Sequence, residues 1–253
     1  MSQADELRAM HNRDEPLILA NAWDAGSARA IETVGFPAVA TTSGGVAEAL
    51  GFEDGENAPA DEMLAAIARI SSVVSIPVSA DAEAGWGLRP AELGHRLLEA
   101  GAVGCNFEDS DHANPGRLRA ADEQAGRIAA LSQAGVVVNA RVDTYLRGFG
   151  RDEQERFEET VRRASAYLGA GADCIYPIFI ADAPVIARLV DAIDGPVNVL
   201  LRPGSPSVAE LTALGVRRIS VGSGIYRLAM RLTSDIAAAL LAGDASGLAP
   251  DSD

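Results

Sequence analysis

Two cysteines and three histidines in 253 residues leave little for thiol or soft-metal chemistry. Cys105 and Cys174 both fall inside apolar runs, where a buried thiol is the ordinary outcome. No CxxC pair or disulfide framework is present, and a reducing compartment is expected. Basic residues are in deficit: 21 Lys and Arg stand against 36 Asp and Glu, a formal net charge of −15. That balance excludes a nucleic-acid partner, whose phosphates require a basic face. No apolar stretch is long enough to span a bilayer, and the opening MSQADELRAMHNRDEP lacks the basic start and apolar core of a secretory signal. A soluble, cytoplasmic protein without a membrane partner is the expectation. No GxGxxG follows the first apolar run, which removes the support for a dinucleotide fold.

What the chain does contain is a repeated unit. Eight short apolar runs follow Gly or Pro turns: 17–24, 36–44, 76–85, 102–109, 136–143, 172–179, 196–204 and 216–224. Helical periodicity separates them, as in Met63, Ile67 and Ile70 or Leu93, Leu97 and Leu98. The alternation predicts buried parallel strands in βαβ units, and the length suits one (β/α)8 TIM-type barrel over residues 1–242. An amphipathic helix at about 225–242 closes that domain, and the polar tail 243–253 is expected to be disordered. The charged run 151–171 reads as a solvated helix face. Two connections, 44–60 and 109–121, exceed a tight βα turn and are expected to serve binding or to act as lids.

At least five of the runs end in polar or acidic residues, and the carboxyl ends of barrel strands share one face. Asp24, Ser43, Asp81, Glu83, Glu108, Asp109, Asn139, Arg141 and Asp143 are expected there. Asp81 and Glu83, two apart, would point to one side of a strand; Glu108 follows the next strand and Asp54 lies on the long loop. Converging carboxylates without histidine or cysteine favour a hard cation, magnesium or manganese, over zinc. Arg141 ends an apolar run and suits a bidentate grip on a small anionic substrate, which an acidic protein needs. Thr42, Ser43, Gly44 and Gly45 form a turn whose backbone can approach an anion. Gly204-Ser205 and Gly222-Ser223-Gly224 keep a phosphate site open. His11 and His95 read as structural, and His112, beside Asn114 and Arg117, as a candidate for proton transfer.

The segments NAWDAGSARAIETVGFPAVATTSGGVAEALGFEDG, ADAEAGWG, NFED and NARVDTYL, in this order, resemble the isocitrate lyase and phosphoenolpyruvate mutase superfamily over residues 16–225. The resemblance implies a (β/α)8 barrel, an eighth helix commonly swapped between subunits, a homotetramer built as a dimer of dimers, and magnesium serving 2-oxo acid or enolpyruvate chemistry. By position, Asp81 matches the direct metal ligand, and Asp54, Glu83 and Glu108 match acids that reach the ion largely through water. Ser43, Gly44 and Gly45 match the carboxylate cradle, Trp23 and Asp24 the wall after the first strand, and Arg141 the substrate-binding arginine. Two departures stand out. The loop DSDHANPGRLRAA has neither the cysteine nor the lysine of the lyases' KKCGH-like lid, and Tyr176-Pro177-Ile178 stands where those lyases carry a glutamate. The mutase and hydrolase branches have an asparagine in the lid, matched by Asn114, and a histidine after the sixth strand, which residues 175–179 lack. The expected activity is therefore a magnesium-dependent lyase of a small 2-oxo dicarboxylate, similar to oxaloacetate decarboxylases, with Asp81, Glu108 and Arg141 as catalytic residues. Alternatives are P–C bond chemistry on a phosphonopyruvate-like compound, carbon–carbon cleavage of a substituted malate using His112 or Arg117, and non-catalytic binding of 2-oxo acids.

Overall fold

A computed structural model of the chain describes residues 1–248. In chain order the strands are β1 (Leu17–Leu19), β2 (Asn21–Ala22), β3 (Val39–Thr41), β4 (Val78–Asp81), β5 (Gly104–Glu108), β6 (Ser110–Asp111), β7 (Arg117–Leu118), β8 (Val137–Val142), β9 (Cys174–Pro177), β10 (Asn198–Leu200) and β11 (Arg218–Ser220). The helices are α1 (Gln3–Met10), α2 (Ala25–Val34), α3 (Ser43–Leu50), α4 (Ala60–Ser71), α5 (Pro90–Glu99), α6 (Ala121–Gln133), α7 (Glu153–Gly169), α8 (Ala183–Ala192), α9 (Val208–Ala213) and α10 (Gly224–Leu241).

All eight expected strands form. The first is divided at Ala20: β1 pairs with β11 (Leu17↔Arg218) and β2 with β3 (Asn21↔Ala40), all parallel. One sheet runs β2-β3-β4-β5-β8-β9 and the other β1-β11-β10. They meet through the continuous segment 17–22 and through the parallel bridge Ile175↔Val197, so the eight parallel segments follow one another in chain order, the arrangement of a TIM-type barrel. Near-continuous burial along β3 and β5 is the mark of strands covered on both faces. Helical spacing places Met63, Ile67 and Ile70 of α4 and Leu93 and Leu97 of α5 against that sheet, each almost fully buried. Each such side chain contributes about 1.5–3 kcal/mol of transfer free energy.

Two local expectations change. Segment 44–60 is not one loop, because α3 starts at once after β3: the Thr42 side chain accepts from Gly45 N, and the helix ends at Gly51 in the left-handed region (φ 89°). Segment 109–121 is not irregular either; β6 and β7 pair antiparallel (Ser110↔Leu118), with a turn stapled by Asn114 on Asp111. Within the tail, Ser246–Leu248 form one 3-10 turn, while 249–253 lie outside the described residues. Helix α10 stands apart from the others. Of its side chains only Tyr226 is buried, and Leu228 (59%), Leu232 (60%) and Leu241 (93%) are exposed. Among the described residues no helix is long and apolar enough to cross a membrane.

Candidate active site

The site is built where α3 meets the end of β4. Helix α3 presents its first-turn N–H groups to the strand ends, and Asp81 Oδ2 accepts from Ser43 N at 3.1 Å and Ser43 Oγ at 2.9 Å. A carboxylate at a helix N-terminus is favoured by the unpaired N–H groups and the dipole. Thr41 Oγ1 accepts from the Asp81 backbone N–H (2.9 Å), which fixes the strand end, and Asn106 Nδ2 lies 3.4 Å from Asp81 Oδ1. The glycines that follow are demanded by close packing. A Cβ on Gly44 would stand 2.9 Å from Asp54 Oδ2 and 3.1 Å from Ser223 Oγ; one on Gly45 would stand 2.7 Å from Thr42 Cγ2 and 3.1 Å from Trp23 Cβ. The absence of side chains at 44 and 45 thus brings Asp54, Ser223 and Trp23 around the turn. Trp23 is held edge-on to Tyr226 of α10, with ring centroids 5.5 Å apart.

The second half of the site lies on β5 and β8. Parallel register sets Glu108 opposite Arg141 and Arg141 opposite Tyr176. Arg141 Nη1 lies 2.5 Å from Glu108, while its Nε and Nη2 donate to the two oxygens of Asp143 at 2.7 and 3.0 Å. Burial works against the guanidinium's charge, but the Asp143 and Glu108 carboxylates outweigh it and raise its pKa well above the usual arginine value. Every fixed side-chain cation here is an arginine, since the chain has no lysine. His112, carried by the β6–β7 hairpin, reaches back to Glu108 Oε1 at 2.7 Å. That contact raises the His112 pKa. Ser110 donates to Asp143 and accepts from Arg147 Nε at 2.9 Å, tying the hairpin to the end of β8.

The acids share a common electrostatic stress. Burial, then Asp81, raises the Asp54 carboxyl. Burial raises Glu83 to about 7, against the Trp86 hydrogen bond, and raises Glu108 against the attraction of Arg141. Among the described residues no three His, Cys, Asp or Glu side chains lie close enough to ligate one ion together. The reason is visible in two of them. Glu83 lies beyond β4 with φ 48°, so strand alternation does not carry it beside Asp81; its oxygens accept from Trp86 Nε1 (2.6 Å), Glu56 N (2.8 Å) and Gly55 N (3.2 Å). Glu108 is held by Arg141 and His112. Asp81 and Asp54 are the adjacent pair, with oxygen donors only and one backbone donor on Asp54, Gly55 N at 3.0 Å. Carboxylate oxygens of this kind are the donor type that a hard divalent cation takes.

Other expected residues have other tasks. Asp109 alternates with Glu108 and so points outward, to Arg163 Nη1 (3.0 Å) and Tyr167 Oη (2.8 Å) of α7, away from the cradle. Asp24 is exposed and caps α2 through Ser27 N (2.7 Å), and Asn114 is spent on the hairpin turn. Ser205 is engaged by Arg202 N and Leu200 O, which leaves Gly204-Ser205 without a free hydroxyl, whereas Ser223 pairs with Thr42 Oγ1 at 2.7 Å beside Gly44. Tyr176 and Asn139 face the buried interior; burial pushes the Tyr176 hydroxyl up. Sequence reading missed Asn106, Thr41, Ser110 and Arg218. For Asn106, Thr41 and Arg218 the signal was faint, polar letters inside runs that read as apolar strands, and Ser110 lay in a connection that read as loop.

The family model of phosphoenolpyruvate phosphomutase matches residues 7–241. A solved protein of Burkholderia cenocepacia, provisionally named a phosphonomutase, is 38% identical, with a TM-score of 0.86 over 93% of this chain and 98% of its own. An uncharacterised protein of Mycobacterium tuberculosis is 34% identical over 93% of this chain and 88% of its own length. The oxaloacetate decarboxylase of Chromohalobacter salexigens is 29% identical over 91% and 83%.

Proposed function

This chain belongs to the phosphoenolpyruvate phosphomutase family, an enzyme family of lyases and mutases, and from that premise we propose that it is a divalent-metal-dependent lyase of a small 2-oxo dicarboxylate, in the manner of an oxaloacetate decarboxylase. The observation that carries the reading is Arg141, largely buried (14% side-chain exposure) and aligned by Asp143 and Glu108, on a face otherwise lined by carboxylates. A fixed guanidinium in such a place suits an anionic substrate.

In this reading Asp81 holds a magnesium or manganese ion, with Asp54, Glu83 and Glu108 reaching it through water. When bound, the ion would draw electron density from the 2-oxo group and stabilise the enolate left as carbon dioxide departs. The chain's own residues do the rest. Arg141 and the backbone of Ser43, Gly44 and Gly45 orient the carboxylates, and Trp23 walls the cradle. His112, hydrogen-bonded to Glu108 on the hairpin, is the titratable lid group for delivering a proton to the enolate carbon. The lyases' lid cysteine and sixth-strand glutamate have no counterpart, and decarboxylation needs neither.

A second reading, P–C bond chemistry on a phosphonopyruvate-like compound, is favoured by the Thr42–Ser223 hydroxyl pair beside Gly44. The assay that separates them offers oxaloacetate and phosphonopyruvate to the wild type and to Asp81→Ala, with and without chelator. Expected are oxaloacetate turnover, its loss on chelation, and a fall of about 100-fold or more in Asp81→Ala. A preference for the phosphonate overturns the substrate, and turnover unaffected by chelator overturns the metal.

The same reading includes further copies of this chain as partners. The exposed leucines of α10, and separately Ile18 of β1 left 36% exposed, are apolar surface that subunit assembly would cover.

A further inference from the structure

Arg218 heads the fully buried side chains by volume, at 1% exposure, and sits inside the strand ring on β11. A buried guanidinium ordinarily stands on a carboxylate, because an uncompensated interior charge is costly. This one has only neutral hydrogen-bond partners among the described residues. Nη1 lies 3.1 Å from His11 Nε2, and Nη2 donates to Ser79 Oγ at 3.1 Å and Asn106 Oδ1 at 3.2 Å; Nε has none. His11 accepts because burial, then Arg218, lowers its pKa to about 3 and keeps it neutral.

The arrangement has a direction. Asp81, Asn106 and Asn139 form one row across β4, β5 and β8. Asn139 Nδ2 also donates to Asn106 Oδ1, at 2.7 Å, so that oxygen takes two donors, one from each side. An amide has one oxygen and one NH2. With the oxygen committed to Arg218 and Asn139, the NH2 must face the remaining neighbour, Asp81 Oδ1, at 3.4 Å. A carboxylate at 106 would have neutralised Arg218 and ended the chain of contacts there; the amide passes a donor on.

We propose that Arg218 is a positioning residue for Asp81, acting through Asn106: the guanidinium locks the amide so that its NH2 orients the Asp81 carboxylate toward the site. This rests on the reading of Asp81 as the residue that holds the divalent ion. Outer partners of this kind typically change metal affinity by about 10–100-fold when removed. They act here from beneath the barrel mouth, where no substrate or solvent contact is needed.

The test is Mn2+ binding by titration calorimetry on the full chain, with thermal unfolding of each variant as the control for folding. Asn106→Ala and Arg218→Met are each expected to raise Kd about 10-fold or more. Since both break the same relay, the double variant is expected to be scarcely weaker than either single one. Arg218→Lys, which keeps a cationic donor, is expected to recover part of the affinity. Folded variants with wild-type Kd, or losses that add in the double variant, overturn the proposal. Should Arg218→Met fail to fold, Asn106→Ala decides. Asp81→Ala serves as the reference: wild-type Mn2+ affinity there overturns the metal reading itself, whereas weak binding there with unchanged affinity in Asn106→Ala overturns only the relay.

Discussion

Glu108 and Arg141 occupy opposed positions on adjacent parallel strands, and their side chains meet at 2.5 Å with the Glu108 side chain only 3% exposed. The pair is not isolated, because Asp143 takes the other edge of the guanidinium. Removing Arg141 therefore takes the guanidinium from two buried carboxylates rather than one.

Arg141→Met is expected to cost about 3–5 kcal/mol in urea unfolding, the magnitude for leaving a buried charge unpaired. Arg141→Lys keeps the charge but cannot reproduce the planar fork on Asp143. It is expected to lose far less stability and still to lower kcat/KM for oxaloacetate by about 100-fold. Equal stability losses in the two variants would show that fork geometry, not charge, is what matters.

Gly44→Ala tests the cradle. Its Cβ would meet Asp54 Oδ2 at 2.9 Å, so the carboxylate must move. Overpacking of this size costs about 1–3 kcal/mol, and displacement of Asp54 is expected to lower kcat/KM by at least about 10-fold. Steady-state kinetics beside a thermal melt checks both, and a fully active, stable variant would remove Asp54 from the site.

Histidine 11 gives a pH dependence with a definite sign. Its folded pKa, lowered to about 3 chiefly by burial, lies beneath the ordinary value of 6.5, so between pH 6.5 and 3 the unfolded chain binds a proton that the folded chain refuses. Stability contributed by neutral His11 is therefore complete above about pH 6.5 and declines as pH falls, by at most about 1.4 kcal/mol per pH unit. The difference in unfolding free energy between wild type and His11→Gln should narrow through that window on acidification. A pH-independent difference would mean that His11 titrates normally.

Assembly can be checked on α10. Leu228→Glu together with Leu232→Glu places charges on its exposed apolar face. Light scattering is expected to show an oligomer for the wild type and a smaller species for the double variant. An unchanged mass would mean that this face is not the contact.

Much of the site was legible along the chain because parallel barrels put every strand's carboxyl end on one face, so polar letters closing apolar runs are informative. That logic placed Asp81, Glu108 and Arg141 on the correct elements, and the small residues at 43–45 marked a close approach. It failed for Asp109 and Glu83, each for a backbone reason: Asp109 alternates outward to α7, and a left-handed φ turns Glu83 away from strand geometry. The β6–β7 hairpin was hidden because only two residues of each strand pair.

By itself, then, the order of apolar runs, helical stretches and glycine turns determined the eight-stranded parallel architecture and which strand ends bear acids, since these follow from periodicity and short-range sterics. Tertiary structure alone decided which donors each acid meets. Arg218 reaches Asn106 across 112 positions of sequence, and Ser223 reaches Thr42 across 181, and no local pattern encodes such pairings. Hydrogen bonds and charge interactions act over a few ångströms, so their partners are chosen only once packing has brought distant strands together.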